Sequence, residues 1–316
     1  PVKGAARSVL ITGASGFVGS HLLAHLAGHC ELTGWSRSAP RAEFASLATW
    51  ARVDMLDREH VRQVILALRP SAVYHCAGAA HVGSSWQDTA LPMASNVLST
   101  HYLLDALRRA GAPCRIVIPG SANVYAPSAA PLGEDSPIGP ASPYAVSKLA
   151  QEQLSIRALV EDGLEVVIAR AFNHIGARQD PTFAVAGMAR QIAQIEQGRA
   201  EPVIRVGNLE THRDLTDVRD TVRAYALLMD LGVSGGIYNV ASGVGRQMRA
   251  VLNALVARSS VAVDIVLDHA RLRPSDLPVL LGDATRLRTE TGWEPHLSFD
   301  RTLDDILEYW RSVAST

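Results

Sequence analysis

A short apolar run, SVLIT (8–12), leads straight into GASGFVG (Gly13 to Gly19), and Val18, Leu22 and Leu26 then recur at helical spacing. Strand, glycine turn and helix in immediate succession form an arrangement that seats a dinucleotide pyrophosphate. The free N–H groups and positive dipole end of the helix face the phosphates there. Gly13 permits the tight turn, Gly16 lets the backbone approach the pyrophosphate, and Gly19 lets the helix pack closely on the strand. Ser15, Phe17 and Val18 complete the same expected cofactor-binding turn.

Further apolar strands are predicted at ELTGW (31–35), AVYHCA (72–77), RIVIP (115–119) and EVVIA (165–169), with helices around 58–69, 95–110 and 144–162. Such alternation implies right-handed crossovers and an α/β fold with a Rossmann-type, doubly wound parallel sheet. After residue 170 the rhythm changes. A helix carrying Val185, Met188, Ile192 and Ile195 ends at Gly198, and the strand PVIRVG, a polar loop and a helix near 217–231 follow. GGIYNVAS (235–242) reads as another buried strand, 246–257 as a helix, and DDILEYWR as the end of a last amphipathic helix. The expected division is a dinucleotide-binding domain over 1–170, with segments about 214–245 returning to it. Residues 171–213 and 246–316 would then form a smaller C-terminal α/β substrate-binding lobe.

The end of the second strand selects between nicotinamide cofactors. A carboxylate there accepts from both ribose hydroxyls and favours NAD. This chain has GWSRS instead, and Ser36 and Arg37 suit a 2′-phosphate, so NADP(H) is expected as the preferred cofactor, with NAD(H) possible. Asp54, beside Met55 after a third short strand, is placed to accept from the adenine amino group, while Asp57 reads as a helix N-cap. Ala77, Gly78 and Ala79 end the fourth strand with small side chains, fitting either a neighbouring dinucleotide or close packing alone.

Tyr144 and Lys148 stand at i and i+4 on one helix face. A free phenol titrates near 10 and is a poor base at neutral pH. An adjacent ammonium favours the phenolate and can orient the cofactor ribose, which would bring the tyrosine into working range. Ser121, just past the fifth strand in GSANVY, is the hydroxyl expected to polarise a substrate oxygen. The three residues together point to hydride chemistry at a carbonyl or carbinol.

Bulk properties exclude other classes. The 316 residues are 47% hydrophobic and 19% charged, with a net charge of −1, giving no electrostatic case for nucleic acid or an anionic membrane. Cys30, Cys76 and Cys114 are widely spaced, without metal-ligand clustering, and read as cytoplasmic, reduced thiols. No apolar run approaches the roughly 20 residues that span a bilayer.

GASGFVG, GSANVY, SPYAVSK, AFNHIG, RVGNLETHRD, DVRD and RPSD together resemble the extended short-chain dehydrogenase/reductase family, in its branch acting on nucleotide-linked sugars. AFNHIGARQ and VGNLETHRDLTDVRD are similar to the subgroup handling GDP-linked hexoses. The resemblance implies a Ser121/Tyr144/Lys148 triad, contact of Asn173 with the nucleotide sugar, and a diphosphate held by Arg213 and Arg273, with Arg205 assisting. Ser84, Ser121, Asn123 and Arg178 are further candidate substrate-binding positions. Ala126 and Ala177 stand where the family usually has glycine and proline.

The subgroup's dehydratases need a carboxylate two residues after the triad hydroxyl, and this chain has Asn123 there, which can be neither acid nor base. The expected reaction is therefore NADPH-dependent reduction of the C4 ketone of GDP-4-dehydro-6-deoxy-D-mannose to GDP-D-rhamnose. A nucleotide-sugar 4-epimerase, a GDP-mannose 4,6-dehydratase and a non-enzymatic NADP-sensing protein are the alternatives. The family also implies a homodimer through a four-helix interface made by the helices 95–110 and 144–162. Val97, Leu103, Leu104 and Leu107 fit that interface or the sheet of their own chain equally well.

Overall fold

A computed structural model describes residues 7–272 and 277–314. In chain order the first half runs β1 (Ser8–Thr12), α1 (Phe17–Leu26), β2 (Glu31–Ser36), β3 (Thr49–Arg52), α2 (Arg58–Leu68), β4 (Ala72–His75), the single turn α3 (Ala90–Pro92), α4 (Ser99–Ala110), β5 (Arg115–Ser121) and α5 (Pro143–Asp162). There follow β6 (Glu165–Ala171), β7 (Asn173–Ile175), α6 (Ala184–Glu196), β8 (Val203–Val206), β9 (His212–Asp217), α7 (Val218–Leu231), β10 (Ile237–Val240), β11 (Gly245–Gln247) and α8 (Met248–Val256). The chain closes with β12 (Asp264–Leu267), β13 (Val279–Leu280), α9 (Thr285–Thr291) and α10 (Phe299–Ala314).

The apolar runs SVLIT, ELTGW, AVYHCA, RIVIP, EVVIA and GGIYNVAS all become strands of one seven-stranded sheet, ordered β10-β6-β5-β4-β1-β2-β3. Every pairing in it is parallel. Both faces are covered, which is why these strands read as continuous apolar runs. Val9, Ile11, Val117 and Val167 pack on one face with Leu22 and Leu23 of α1 and Val222 and Tyr225 of α7. Leu10, Val73, Ile116 and Val166 pack on the other with α4. Leu103, Leu104 and Leu107 of α4 are committed to that second layer and are at most 2% exposed, so they serve the sheet of their own chain. The strand order reverses between β1 and β4, the switch point at which open α/β sheets form a ligand crevice.

A third apolar core gathers Ile175, α6, β8, α8 and α10 away from the large sheet. The segment expected as a polar loop before α7 contains β9, which β7 and β13 join in parallel and β11 antiparallel. Its sequence, HRDLTD, carries no apolar run because polar bonds hold it. The buried Asp214 carboxylate accepts from Ser242 N, Ser242 Oγ and Gly243 N. Asp217 caps α7 and accepts from Thr302 of α10, while Asp220 accepts from the backbone of His296 and Leu297.

The glycine turn shows how tightly sequence binds the switch point. A Cβ on Gly19 would lie 2.2 Å from the Gly13 carbonyl oxygen, whereas one on Gly133 would meet nothing within 4 Å. Gly19→Ala is expected to lower unfolding free energy by about 1–3 kcal/mol or more in urea titrations, with Gly133→Ala nearly neutral. Equal effects at the two positions would remove the close-packing account.

Candidate active site

Gly13 adopts φ +65°, and a Cβ there would sit 2.8 Å from the Ala77 backbone at the end of β4. The turn after β1 is thus pressed against the chain leaving β4, at the switch point. Gly16 is the exposed N-cap of α1 and brings no side chain to cap it, so the first N–H groups of the helix remain available to an anion. These features fit a dinucleotide pyrophosphate. Ser15 and Val18 are half-buried in the same turn, and the Phe17 ring stacks on His174 with centroids 5.9 Å apart.

Around the expected adenosine end, Ser36 is buried with its hydroxyl bonded to the Ser38 carbonyl, and Arg37 projects into solvent. Asp54 is exposed and accepts from Leu56 N, and Asp57 caps α2 through His60 N. Met55 is buried in the sheet layer with Trp35 and Val61. Gly78 is small because of a protein side chain: a Cβ would meet Asn96 Oδ1 at 2.4 Å. Buried Asn96, in the π-helical turn before α4, accepts from Ala79 N and donates to Ala79 O and Ser147 Oγ. No sequence motif considered above pointed to Asn96, and its signal is visible only once α4 and β4 are neighbours.

The start of α5 sets the catalytic pair. Ser142 accepts from Ala145 N as N-cap, and Pro143 occupies the first turn, so Tyr144 is fixed at the helix entrance. Ser121 ends β5, and its hydroxyl lies near enough to the Tyr144 phenol to favour the ionised form. Ser121 Oγ also accepts from the Asn123 backbone N–H and side-chain Nδ2, both at 3.2 Å. With its acceptor sites used by Asn123, the Ser121 proton is free to be donated, and Asn123 acts on the site through Ser121.

Lys148 donates to the Pro119 carbonyl and to Gln151 Oε1. From there a buried chain runs inward. Gln151 Nε2 donates to Thr100 Oγ1 at 2.7 Å, Thr100 donates to the Asn96 carbonyl, and His75 Nε2 lies 3.0 Å from Thr100. His75 Nδ1 meets Thr12 Oγ1 at 2.8 Å, and Thr12 accepts from Ala77 N. Thr100 has given its proton to the Asn96 carbonyl, so His75 carries hydrogen on Nε2, and the neutral imidazole accepts at Nδ1 from Thr12. Burial, reinforced by the Lys148 charge, pushes the His75 pKa down to about 3.

Burial also dominates the titration of the catalytic pair. The Tyr144 phenol is pushed above its ordinary value by burial, opposed by the neighbouring Ser121 hydroxyl. Burial takes Lys148 down to about 8, against the favourable charge of Glu152. Glu152 is itself in a buried ion pair with Arg170. A phenol held protonated at neutral pH is suited to giving a proton to a developing alkoxide.

The remaining candidates are dispersed. Asn173 is exposed at the start of β7, beside Leu215 of β9. Arg213 is half-buried on β9, and Arg205 is exposed on β8 with its backbone bonded to Gln191. Ser84 is exposed and bonded to His81. Arg178 places its guanidinium over the Phe44 ring, on the loop that follows β2. Arg273 lies outside the described residues. Burial drives Cys76 up to about 12, leaving an inert thiol. Among the described residues no cluster of His, Cys, Asp and Glu is arranged to hold a metal ion, and no helix is long and apolar enough to cross a membrane.

The depressed Lys148 pKa makes a stability statement. Its folded value, about 8, lies below the ordinary 10.5, so the folded state carries a charge penalty that is full below pH 8 and fades toward 10.5. The stability of Lys148→Met relative to wild type also carries the loss of the bonds to Pro119 and Gln151, and it should fall as pH rises from about 8 to 10.5. Thermal melts across pH check this, and a pH-independent difference would contradict it.

A sequence model of the family described as GDP-mannose 4,6 dehydratase matches residues 10–306. The GDP-6-deoxy-D-mannose reductase of Pseudomonas aeruginosa is 36% identical over 307 residues, covering 96% of this chain and 97% of that protein. RMD from Pseudomonas aeruginosa, solved in complex with NADPH, superposes with a TM-score of 0.85 at 34% identity, covering 97% of this chain and 99% of that one. The UDP-glucose 4-epimerase of Thermus thermophilus, solved with NAD, gives 0.83 at 30% identity over 96% and 98% of the two chains.

Proposed function

We propose, for a chain that belongs to the GDP-mannose 4,6-dehydratase family, NADPH-dependent reduction of the C4 ketone of GDP-4-dehydro-6-deoxy-D-mannose to GDP-D-rhamnose. The observation that carries this reading is the buried Tyr144 phenol near Ser121, with Asn123 instead of a carboxylate bonded to that serine. NADPH, when bound, supplies the hydride. Gly13, Gly16 and the N-terminus of α1 hold the pyrophosphate, and Ser36 and Arg37 lie at the end of β2 where the 2′-phosphate belongs. Ser121 donates to the ketone oxygen, and Tyr144 delivers its proton as that oxygen gains charge. Lys148 keeps a cationic charge close by, oriented by Gln151. Asn123 cannot take a proton from C5, so the site has no group in that place for a dehydration step.

The expected lobe, residues 171–213 and 246–316, is assigned to the GDP-sugar, with Asn173, Arg205, Arg213 and Arg273 as its polar contacts. Its α6, β8, α8 and α10 share the third apolar core, while Leu280, Leu287 and Trp293 pack with the large sheet. A homodimer pairing α4 and α5 across a two-fold axis is supported by apolar Leu98 and Val146, each 45% exposed at the starts of these helices. Three free thiols support a reducing, cytoplasmic setting.

The test is NADPH oxidation in the presence of GDP-4-dehydro-6-deoxy-D-mannose, followed by NMR of the sugar. Formation of GDP-D-rhamnose is the expected result. Retained NADPH binding without oxidation, together with C4 inversion of a nucleotide hexose, would replace this reading with the 4-epimerase. Tyr144→Phe should cut turnover by about a hundredfold to ten-thousandfold while leaving NADPH binding intact. Comparable turnover would exclude the tyrosine as proton donor.

A further inference from the structure

Arg178 follows β7 with a backbone φ of 72°, in the left-handed region that favours glycine. The guanidinium carbon lies 4.9 Å from the Phe44 ring centroid. Its Nε is buried without a hydrogen-bond partner. Burial lowers its pKa, and the charges around it are Glu43, which favours the cation, and Arg41 and Arg219, which oppose it. Arg219 is committed to Asp217 and Asp305, and Arg41 donates to the Tyr309 hydroxyl. His21 of α1, one turn from Phe17, faces the same guanidinium and is held neutral by burial and by that charge.

A half-buried guanidinium with an open Nε has one carboxylate, Glu43, and two further arginines around it, so positive charge is in excess here. The position specifies the missing anion. Phe44, Glu43 and Arg41 belong to the loop between β2 and β3, which begins at Ser36 and Arg37. That loop starts at the strand end where a dinucleotide's adenosine ribose is bound. Arg178 arrives from the opposite direction, out of the segment that follows β7.

We propose that Arg178 contributes, with Arg37 and Arg41, to binding the phosphomonoester on the adenosine ribose of NADP(H), and so serves cofactor discrimination rather than the sugar nucleotide. This rests on the NADPH reading of the cofactor site. Arg178 follows β7, whose first residue is Asn173, so one short segment would touch the adenosine end of the cofactor and the expected sugar site.

Calorimetric titration of the full chain with 2′,5′-ADP and with 5′-AMP tests it without any turnover. The wild type should bind 2′,5′-ADP more tightly. Arg178→Met, which keeps an unbranched stem against Phe44 and removes only the charge, should lose about tenfold or more of 2′,5′-ADP affinity and leave 5′-AMP unchanged. Arg178→Lys should recover part of the loss, because it restores charge without the planar fork. Equal losses for both nucleotides, or none, in a variant whose melting temperature matches wild type would overturn the proposal. A wild type that binds the two nucleotides equally would overturn the NADPH reading and this inference with it, whereas wild-type discrimination unaffected by Arg178→Met would sink the inference alone.

Discussion

The arrangement depends on one buried run of hydrogen bonds that joins Lys148 through Gln151, Thr100 and His75 to Thr12 and Ala77 N. It crosses four elements: α5 supplies the ammonium, α4 the threonine, β4 the imidazole and β1 the final hydroxyl. The catalytic helix is thereby held in register with the strand that opens into the glycine turn. Each polar atom named in this run has at least one partner once His75 takes a single tautomer. A fully satisfied network of this kind rigidifies a core, while a partly satisfied one would destabilise it.

Burial then decides the chemistry. The pocket withdraws solvent from a phenol and an ammonium together, and desolvation favours the neutral form of each. For the tyrosine this means a proton in place at neutral pH, as reduction of a ketone requires. Asn123 holds Ser121 by two donated hydrogen bonds, leaving its hydroxyl proton to the reacting oxygen. The same side chain removes the carboxylate that elimination would use. A single amide thus organises one reaction and closes off another.

Much of this was legible in the chain because apolar runs and glycine spacing are local signals. The six strands read from apolar runs lie side by side in the large sheet, with β3 completing its edge, and Ser142 and Pro143 start α5 as such residues do. What escaped was held by polar groups acting over long sequence separations. β9 has no apolar period, since Asp214 and Asp217 secure it through Ser242, Gly243 and Thr302. Asn96, Thr100 and Gln151 carry no motif in the sequence and become a network only when α4, α5 and β4 meet. Gly78 fitted either a neighbouring cofactor or close packing in the sequence, and the atom nearest to its missing Cβ is Asn96 Oδ1. Spacing placed Tyr144 and Lys148 on one helix face, but it could not reveal that Lys148 would spend its hydrogen bonds on Pro119 and Gln151.

The central claim, that the protein keeps Tyr144 as a proton donor by burying it beside Ser121, is tested most directly by titrating this one phenol. The protein would be labelled with ring-carbon tyrosine, and the Tyr144 signal assigned by its loss in the phenylalanine variant. The account predicts that this ring carbon stays at its phenol shift through neutral and moderately alkaline pH, ionising only above the ordinary value near 10. A phenolate signal already present near pH 7 in the free protein would contradict it, and would make Tyr144 a base poised for oxidation.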